Sequence, residues 1–169
     1  MIEDNGIILV TGESGSGKTR FCTAYSNELR EQGWRIGGIL SPAVFDGDTK
    51  VAIEAMNVAN GERKLLATLA PGKPEDILVG IWALKPETIA WGNRIFQTTM
   101  DVDCVIVDEL GPLEFFGGGG WQSAMQILEA VGGRIKQALV VVRPALRDEA
   151  YRRFRIVHEI NLNQSRVPN

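Results

Sequence analysis

The stretch that decides the fold is "GIILVTGESGSGKT", residues Gly6 to Thr19. Its first part, Gly6–Thr11, is a continuous apolar run, which is typical of a strand buried on both faces of a parallel sheet. The glycine-rich part fits G-x-x-x-x-G-K-[ST], and an amphipathic helix is predicted from Lys18 to about Gln32. A strand, a glycine loop and a helix in direct succession predict an anion site at the helix N-terminus.

The residue types of this loop explain the predicted chemistry. Small residues allow a loop to curl so that successive backbone N–H groups face inward, and the helix N-terminus adds partial positive charge. We predict that Lys18 reaches the β- and γ-phosphates of a nucleotide and that the Thr19 hydroxyl binds Mg²⁺. The alternative is a glycine-rich turn followed by an exposed lysine. The predicted nucleotide-binding residues are Gly12, Glu13, Ser14, Gly15, Ser16, Gly17, Lys18, Thr19 and Arg20.

A second motif is "CVIVDELGPLE", in which a predicted strand ends in two adjacent carboxylates. We predict that Asp108 binds the metal ion, because a phosphate-binding loop needs a carboxylate at the tip of a neighbouring strand. Glu109 is then predicted to polarise a water for attack on the γ-phosphate. The alternatives are that both acids are solvated strand-end charges, or that Glu109 points away. Glu114 either steadies the loop, assists the metal or is merely exposed.

A third candidate is Arg143, at the end of the apolar run "ALVVVRP". An arginine beside a phosphate-binding loop can sense the γ-phosphate or stabilise transition-state charge from within the same chain. Alternatively, it is a plain strand-end arginine before a helix that starts at Pro144. The predicted catalytic residues are thus Glu109, Lys18 and Arg143.

The rest of the chain alternates between strand and helix patterns. The further predicted strands are Arg35–Ser41, two short strands joined at Asn60-Gly61, "VIVD" before Glu109, Ala138–Val142 and a last strand after Phe154. The further predicted helices begin near Pro86 and span about 121–130 and 145–154. This alternation predicts a three-layer α/β fold with a mainly parallel sheet. A β-hairpin plus a helix, approximately 42–100, form an insertion in a single domain, 1–169.

Composition excludes several classes of protein. With 44% hydrophobic and 23% charged residues among 169, the chain is an ordinary globular one. A net charge of −3 gives no general attraction to nucleic acid or to an anionic membrane. Neither a signal peptide nor a membrane span is predicted, and cysteine is present only at Cys22 and Cys104. We therefore expect a cytoplasmic protein without a disulfide framework, and with the single His158 the sequence predicts no zinc site.

Three segments together carry a resemblance. They are "VTGESGSGKT", "GGILSPAVFDGDTKVAIEAMNVANGERKLLA" and "VIVDELGPLEFF", which cover most of the chain in order. They resemble the small P-loop nucleoside-triphosphatase family that includes the thermophilic and cancer-related nucleoside triphosphatases. The middle segment is the most discriminating, because many P-loop proteins share the other two.

The resemblance implies a fold, an activity and roles for particular residues. It implies a RecA-like or AAA-like core in which the phosphate-loop strand lies between the fourth and fifth strands. It also implies slow hydrolysis of several nucleoside triphosphates, ATP and GTP among them, with Mg²⁺. By this resemblance Gly12, Gly17, Lys18 and Thr19 bind phosphate and metal, Asp108 binds the metal, and Glu109 is the base.

Two departures from the family pattern are visible. Many of the proteins it resembles have an acidic-Val-Arg step after the second strand, where this chain has Pro42-Ala43-Val44-Phe45. The run Gly117–Gly120 is also unusual and predicts a mobile loop beside the site.

The function predicted from sequence is Mg²⁺-dependent hydrolysis of the β–γ bond of ATP, GTP and other nucleoside triphosphates, with water as the nucleophile. One alternative is a phosphotransferase, for which an arginine-rich acceptor lid is expected. Between residues 42 and 100 the chain has only Arg63 and Arg94, which favours hydrolysis. A second alternative is a nucleotide-dependent switch that acts on a protein partner as yet unidentified.

Overall fold

The strand that precedes the glycine loop lies inside the sheet. A computed structural model describes residues 5–165, so that residues 1–4 and 166–169 of the predicted domain lie outside the described part. Strand β1 (Gly6–Thr11) pairs in parallel with β9 (Gln137–Val142) on one side and with β10 (Ile156–Asn161) on the other. All of β1 is buried, as its apolar run predicts.

The parallel part of the sheet continues through two more strands. Strand β8 (Cys104–Leu110) pairs with β9, and β2 (Ile36–Leu40) pairs with β8, both in parallel. The order is β10-β1-β9-β8-β2. Counted along the chain without the insertion, β9 is the fourth strand and β10 the fifth. The prediction that the strand of the glycine loop lies between the fourth and fifth strands is therefore confirmed.

Helices cover both faces of this sheet. The helices are α1 (Lys18–Glu31), α2 (Pro86–Thr98), α3 (Gln122–Leu128) and α4 (Arg147–Arg153). Because side chains alternate along a strand, β1 contributes to two separate cores. Ile8 packs with the α1 side, including Leu29, and Ile7 packs with the α2 and α3 side, including Phe96 and Trp121. The predicted three-layer α/β fold is confirmed.

The chain segment between β2 and β8 forms antiparallel strands, which extend the sheet beyond β2. They are β3 (Ala43–Asp46), β4 (Thr49–Asn57), β5 (Arg63–Leu69), β6 (Ile77–Val79) and β7 (Trp82–Leu84). The hairpin predicted at Asn60-Gly61 joins β4 to β5. Strands β3, β6 and β7 were not predicted, because β3 is mostly exposed and the other two have three residues each. In the described part of the chain, no helix is long and apolar enough to cross a membrane.

Asp103 joins three strands at the edge of the sheet opposite to the glycine loop. Its carboxylate accepts a hydrogen bond from the Arg35 backbone N–H at 2.9 Å, and the Lys136 ammonium lies 3.0 Å from its second oxygen. The bond from Arg35 and the contact with Lys136 lower the pKa of Asp103 to about 2. The start of β2 is thereby linked to the starts of β8 and β9.

We predict that Asp103→Asn lowers the free energy of unfolding at pH 7 by about 1 kcal/mol. In the wild type the folded-state pKa of about 2 lies below the ordinary aspartate value of about 4. The contribution is therefore present above pH 4 and is lost as the pH falls from about 4 to about 2, whereas the variant shows a flatter profile. Urea unfolding between pH 2 and pH 7 measures this. Asp101→Asn, which removes an exposed ion pair with Arg134, is the control, and an equal effect of both changes contradicts the assignment.

Candidate active site

The predicted site residues meet at the carboxyl edge of the parallel strands. The glycine loop (Gly12–Gly17) follows β1, the two carboxylates lie near the end of β8, and Arg143 follows β9. Ser41 follows β2 at the same edge. In open α/β sheets this edge is where ligands bind, because the loops that leave neighbouring parallel strands face one common crevice.

The backbone of the glycine loop has a conformation that depends on glycine. Gly15 has a φ of 78° and Gly17 a φ of 91°, in the left-handed region that other residues rarely adopt. Gly17 is also the N-cap of α1, and no side chain caps the helix. The N–H groups of the first turn of α1 are consequently left for an anion, as the sequence predicts.

Ser16 supplies direct structural support for a polar ligand at the loop. Its hydroxyl oxygen is buried and, within residues 5–165, has no hydrogen-bond partner. Buried hydroxyls are nearly always paired, because an unpaired one costs about 1–3 kcal/mol. Ser16 also borders a cavity of about 300 Å³, which is lined by Glu13, Ser14, Ser16, Leu162 and Asn163. These features fit a loop whose polar groups are completed by a bound anion.

Lys18 lies inside the loop rather than in solvent. Its side-chain ammonium donates to the carbonyl oxygens of Gly12 at 2.7 Å and of Glu13 at 2.8 Å, and the residue is only 7% exposed. Burial lowers its pKa, while the nearby Glu109 acts to raise it. Carbonyl groups do not neutralise its charge, so the ammonium remains able to bind phosphate oxygens. The alternative of an exposed lysine is wrong.

Asp108 and Thr19 lie side by side, as the predicted metal site requires. Asp108 is 2% exposed, and its carboxylate accepts a hydrogen bond at 3.0 Å from the Ser41 backbone N–H. Burial raises the pKa of Asp108, and the Ser41 N–H and the nearby Thr19 hydroxyl oppose this rise. The alternative that Asp108 is a solvated strand-end charge is therefore wrong.

Ser41 is a residue that the sequence reasoning missed. Besides its N–H bond to the Asp108 carboxylate, its hydroxyl donates to the backbone carbonyl of Asp108. These two contacts connect the end of β2 to the end of β8 and orient the carboxylate. The available signal was a polar residue directly after a buried strand, but strand order was needed to place it beside Asp108.

Glu109 and Arg143 form an ion pair at the mouth of the site. The register of β8 against β9 shifts at Glu109, since Asp108 pairs with Val141 and Leu110 with Val142. Such a bulge re-aims a side chain at a strand end. The Glu109 carboxylate lies 3.0 Å from the Arg143 guanidinium, with side-chain exposures of 34% and 49%. Glu109 is therefore open to water, and Arg143 is held beside it.

Glu114 is a structural acid of the segment that follows β8. It accepts hydrogen bonds from the backbone N–H groups of Gly111 at 2.8 Å and Trp121 at 2.9 Å, and burial raises its pKa. A Cβ on Gly120, whose φ is 65°, would lie 2.0 Å from this carboxylate and would displace it. Glu114 thus steadies the loop and is not merely exposed, whereas the predicted mobility of Gly117–Gly120 stays a prediction.

The remaining predicted loop residues lie at the rim. Glu13, Ser14 and Gly15 are exposed, and the Glu13 N–H donates to the side-chain oxygen of Asn163 at 3.0 Å. Arg20 is exposed on the first turn of α1. Asn163, which follows β10, was not predicted, because only the tertiary structure brings the last strand to the loop.

We predict that Glu114→Gln loosens the 111–121 segment without unfolding the protein. A carboxylate accepts both backbone N–H groups, whereas the amide offers a single acceptor oxygen and leaves one donor unpaired, which costs about 1–3 kcal/mol locally. Hydrogen–deuterium exchange should accelerate about tenfold or more at Gly111 and Trp121. Glu129→Gln, an exposed acid after α3, serves as the control. Unchanged exchange in Glu114→Gln contradicts the assignment.

These features together define the class of the protein. A parallel core in the order β10-β1-β9-β8-β2, with a glycine loop opening α1 and a carboxylate near the end of β8, the next strand but one from β1, is the P-loop nucleoside-triphosphatase fold. A family model described as NTPase matches residues 7–165, and the chain belongs to this family. The resemblance drawn from the three sequence segments is thereby confirmed.

Curated relatives carry the same kind of description. The nucleoside-triphosphatase THEP1 of Methanopyrus kandleri is 34% identical over 107 residues, which are 63% of this chain and 58% of that protein. The THEP1 of Archaeoglobus fulgidus is 25% identical over 163 residues, which are 95% of this chain and 93% of that protein. The match to the Methanopyrus protein thus spans somewhat more than half of its length.

Two solved structures share the fold. A human cancer-related nucleoside triphosphatase superposes with a TM-score of 0.67 at 19% identity, over 92% of this chain and 88% of that one. THEP1 from Aquifex aeolicus superposes with a TM-score of 0.59 at 17% identity, over 92% and 87% of the two chains. At these identities the likeness concerns the fold alone.

Proposed function

We propose that this chain is a Mg²⁺-dependent nucleoside triphosphatase that hydrolyses the β–γ bond of ATP, GTP and other nucleoside triphosphates. The observation that carries the proposal is the Lys18 ammonium inside the glycine loop, together with Thr19 and the buried Asp108 beside it. The names of its relatives, nucleoside-triphosphatase THEP1, support the same reaction.

Binding begins with the triphosphate in the glycine loop. The uncapped N–H groups of α1 and the Ser16 hydroxyl donate to phosphate oxygens, and Lys18 exchanges its bonds to loop carbonyls for bonds to the β- and γ-phosphates. Because these donors are neutral apart from Lys18, the loop recognises the shape of the phosphate chain as well as its charge.

Thr19 and Asp108 are the residues that would hold Mg²⁺. A hydroxyl and a carboxylate are hard oxygen ligands of the kind this ion prefers, and Asp108 is too deeply buried for its charge to be solvated by water. Among residues 5–165 no group of three or more His, Cys, Asp and Glu side chains lies together, which fits an ion bound by few protein ligands plus phosphates and waters. When bound, the ion neutralises charge on the β- and γ-phosphate oxygens.

Glu109 acts on the attacking water. Its half-exposed carboxylate accepts a proton from the water as the oxygen attacks the γ-phosphorus. The bond between the γ-phosphorus and the bridging oxygen breaks, and its electron pair remains on the β-phosphate, so that the products are the diphosphate and inorganic phosphate. Arg143, which is paired with Glu109, would transfer its hydrogen bond to the γ-phosphate when the triphosphate binds.

We predict that Glu109→Gln lowers phosphate release by about 10²–10⁴-fold, because the amide cannot accept the proton. Binding of a non-hydrolysable triphosphate should remain near the wild-type value. Phosphate release from ATP, GTP, CTP and UTP with Mg²⁺ measures the effect, and Glu62→Gln in the β4–β5 turn is the matched control. Full activity in Glu109→Gln would contradict the role of Glu109 as the base. If the wild type releases no phosphate and forms the diphosphate only when a hydroxyl acceptor is added, phosphate transfer is favoured instead.

Lys18→Ala should weaken both binding and turnover. Loss of a charged hydrogen bond to phosphate is worth about ten- to a hundredfold in affinity. Fluorescence titration with a non-hydrolysable triphosphate, read on the tryptophans, measures binding separately from chemistry. Lys73→Ala, an exposed lysine in the loop between β5 and β6, is the control. Wild-type affinity in Lys18→Ala contradicts phosphate binding by this loop.

A further inference from the structure

The hairpin of β3 and β4 extends the sheet beyond the carboxyl end of β2. Strand β2 pairs with β4 at Leu40 and Met56, and β3 then continues the pairing from Ala43, opposite Ile53. Ser41, between the two strands, is the residue that hydrogen bonds to Asp108. The hairpin from Ala43 to Ile53, here called the β3–β4 arm, therefore begins directly beyond the contact between Ser41 and the Asp108 carboxylate.

Lys50 is the basic residue of this arm. Its Cα pairs with that of Phe45, which is 59% exposed and brings no charge. In the sheet order, Lys18 follows β1 on one side of β8, and Lys50 belongs to β4 on the other side. The strands that carry the two lysines therefore lie on opposite sides of β8.

The surroundings of Lys50 link it to the site. The residue is half-buried, and its ammonium lies 5.2 Å from the centre of the Trp82 ring. Its pKa is lowered by burial, and the charges that act on it are those of Glu109, Arg143, Asp108 and Lys18. In the described chain no carboxylate lies within ion-pair distance of it, whereas Lys136, which also stacks on a tryptophan, is paired with Asp103.

A half-buried cation without an acidic partner suits an anionic ligand. The ammonium has already lost part of its hydration, so that an additional phosphate contact costs less desolvation than it would for a fully solvated lysine. The Trp82 ring holds the charge through its π face without neutralising it. The arm therefore presents one oriented cation to the same crevice as the glycine loop.

We propose that Lys50 binds the terminal phosphate of the nucleotide and makes the site prefer nucleoside triphosphates to diphosphates. The inference rests on the proposed function and adds a specificity-determining residue to it. Lys18 can contact the β-phosphate of either nucleotide at the loop, whereas the γ-phosphate is present in the triphosphate only. A cation on the arm, remote from the loop in sequence, gains its contact only when this third phosphate is bound.

Lys50→Gln tests the proposal by comparing two affinities. The dissociation constants of a non-hydrolysable triphosphate analogue and of the matching diphosphate are measured with Mg²⁺ for wild type and variant. We expect the triphosphate to bind about tenfold or more weakly and the diphosphate to stay within about twofold. Lys50→Arg, which keeps the charge, should recover most of the lost affinity. Urea unfolding shows that each variant is folded, and Lys50→Met replaces Lys50→Gln if the amide destabilises the arm.

Lys64→Gln is the matched control. Lys64 lies on β5 of the same insertion, and its ammonium is 5.4 Å from the centre of the Trp91 ring, yet the residue is exposed. It reproduces the lysine-on-tryptophan geometry without the charges of the site, so both affinities should be unchanged. An equal loss in the two lysine variants would show a general effect of charge and would overturn the proposal.

The outcomes separate this inference from the proposed function. If the wild type binds and hydrolyses triphosphates but Lys50→Gln keeps the wild-type ratio of triphosphate to diphosphate affinity, the role of Lys50 is overturned and the function stands. Equal weakening of both nucleotides also overturns it. If the wild type neither binds nor hydrolyses nucleotides, the proposed function itself fails.

Discussion

The burial of the Asp108 carboxylate is the constraint on which the site depends. A buried carboxylate requires compensation, and here the Ser41 N–H after β2 donates a hydrogen bond to it and the Thr19 hydroxyl of α1 lies nearby. The surroundings of this one charged group thus connect helix α1, which follows the glycine loop, with strands β2 and β8. The same lack of solvation makes Asp108 a suitable partner for a divalent cation.

The inserted strands lie beside the Asp108 carboxylate and its contact with Ser41. Antiparallel strands extend the parallel core past β2, and the β3–β4 arm begins at the residue that contacts Asp108. A hairpin anchored there is positioned to add groups to the crevice, as Lys50 illustrates. In the proposed function, the parallel core supplies the phosphate-binding groups and the inserted strands add Lys50 to them.

Much of this arrangement was predictable because its signals are local. The run Gly6–Thr11, the glycine spacing and the amphipathic pattern after Lys18 each depend on neighbours within a few residues. The contacts of Ser41, Glu114 and Asn163 were not predictable in this way. Ser41 and Asn163 contact residues far away along the chain, and the two bonds of Glu114 depend on how an irregular segment closes.

The sequence by itself determined the strand–loop–helix unit, the family, and the pairing of the loop with a carboxylate at the end of an apolar strand. Only the tertiary structure decided which side chains share the crevice. The ion pair of Glu109 with Arg143 joins residues 34 positions apart, and the position of Lys50 relative to the site depends on where β4 lies in the sheet. Local periodicity fixes the type of an element, whereas strand order and register decide which ends of the elements meet.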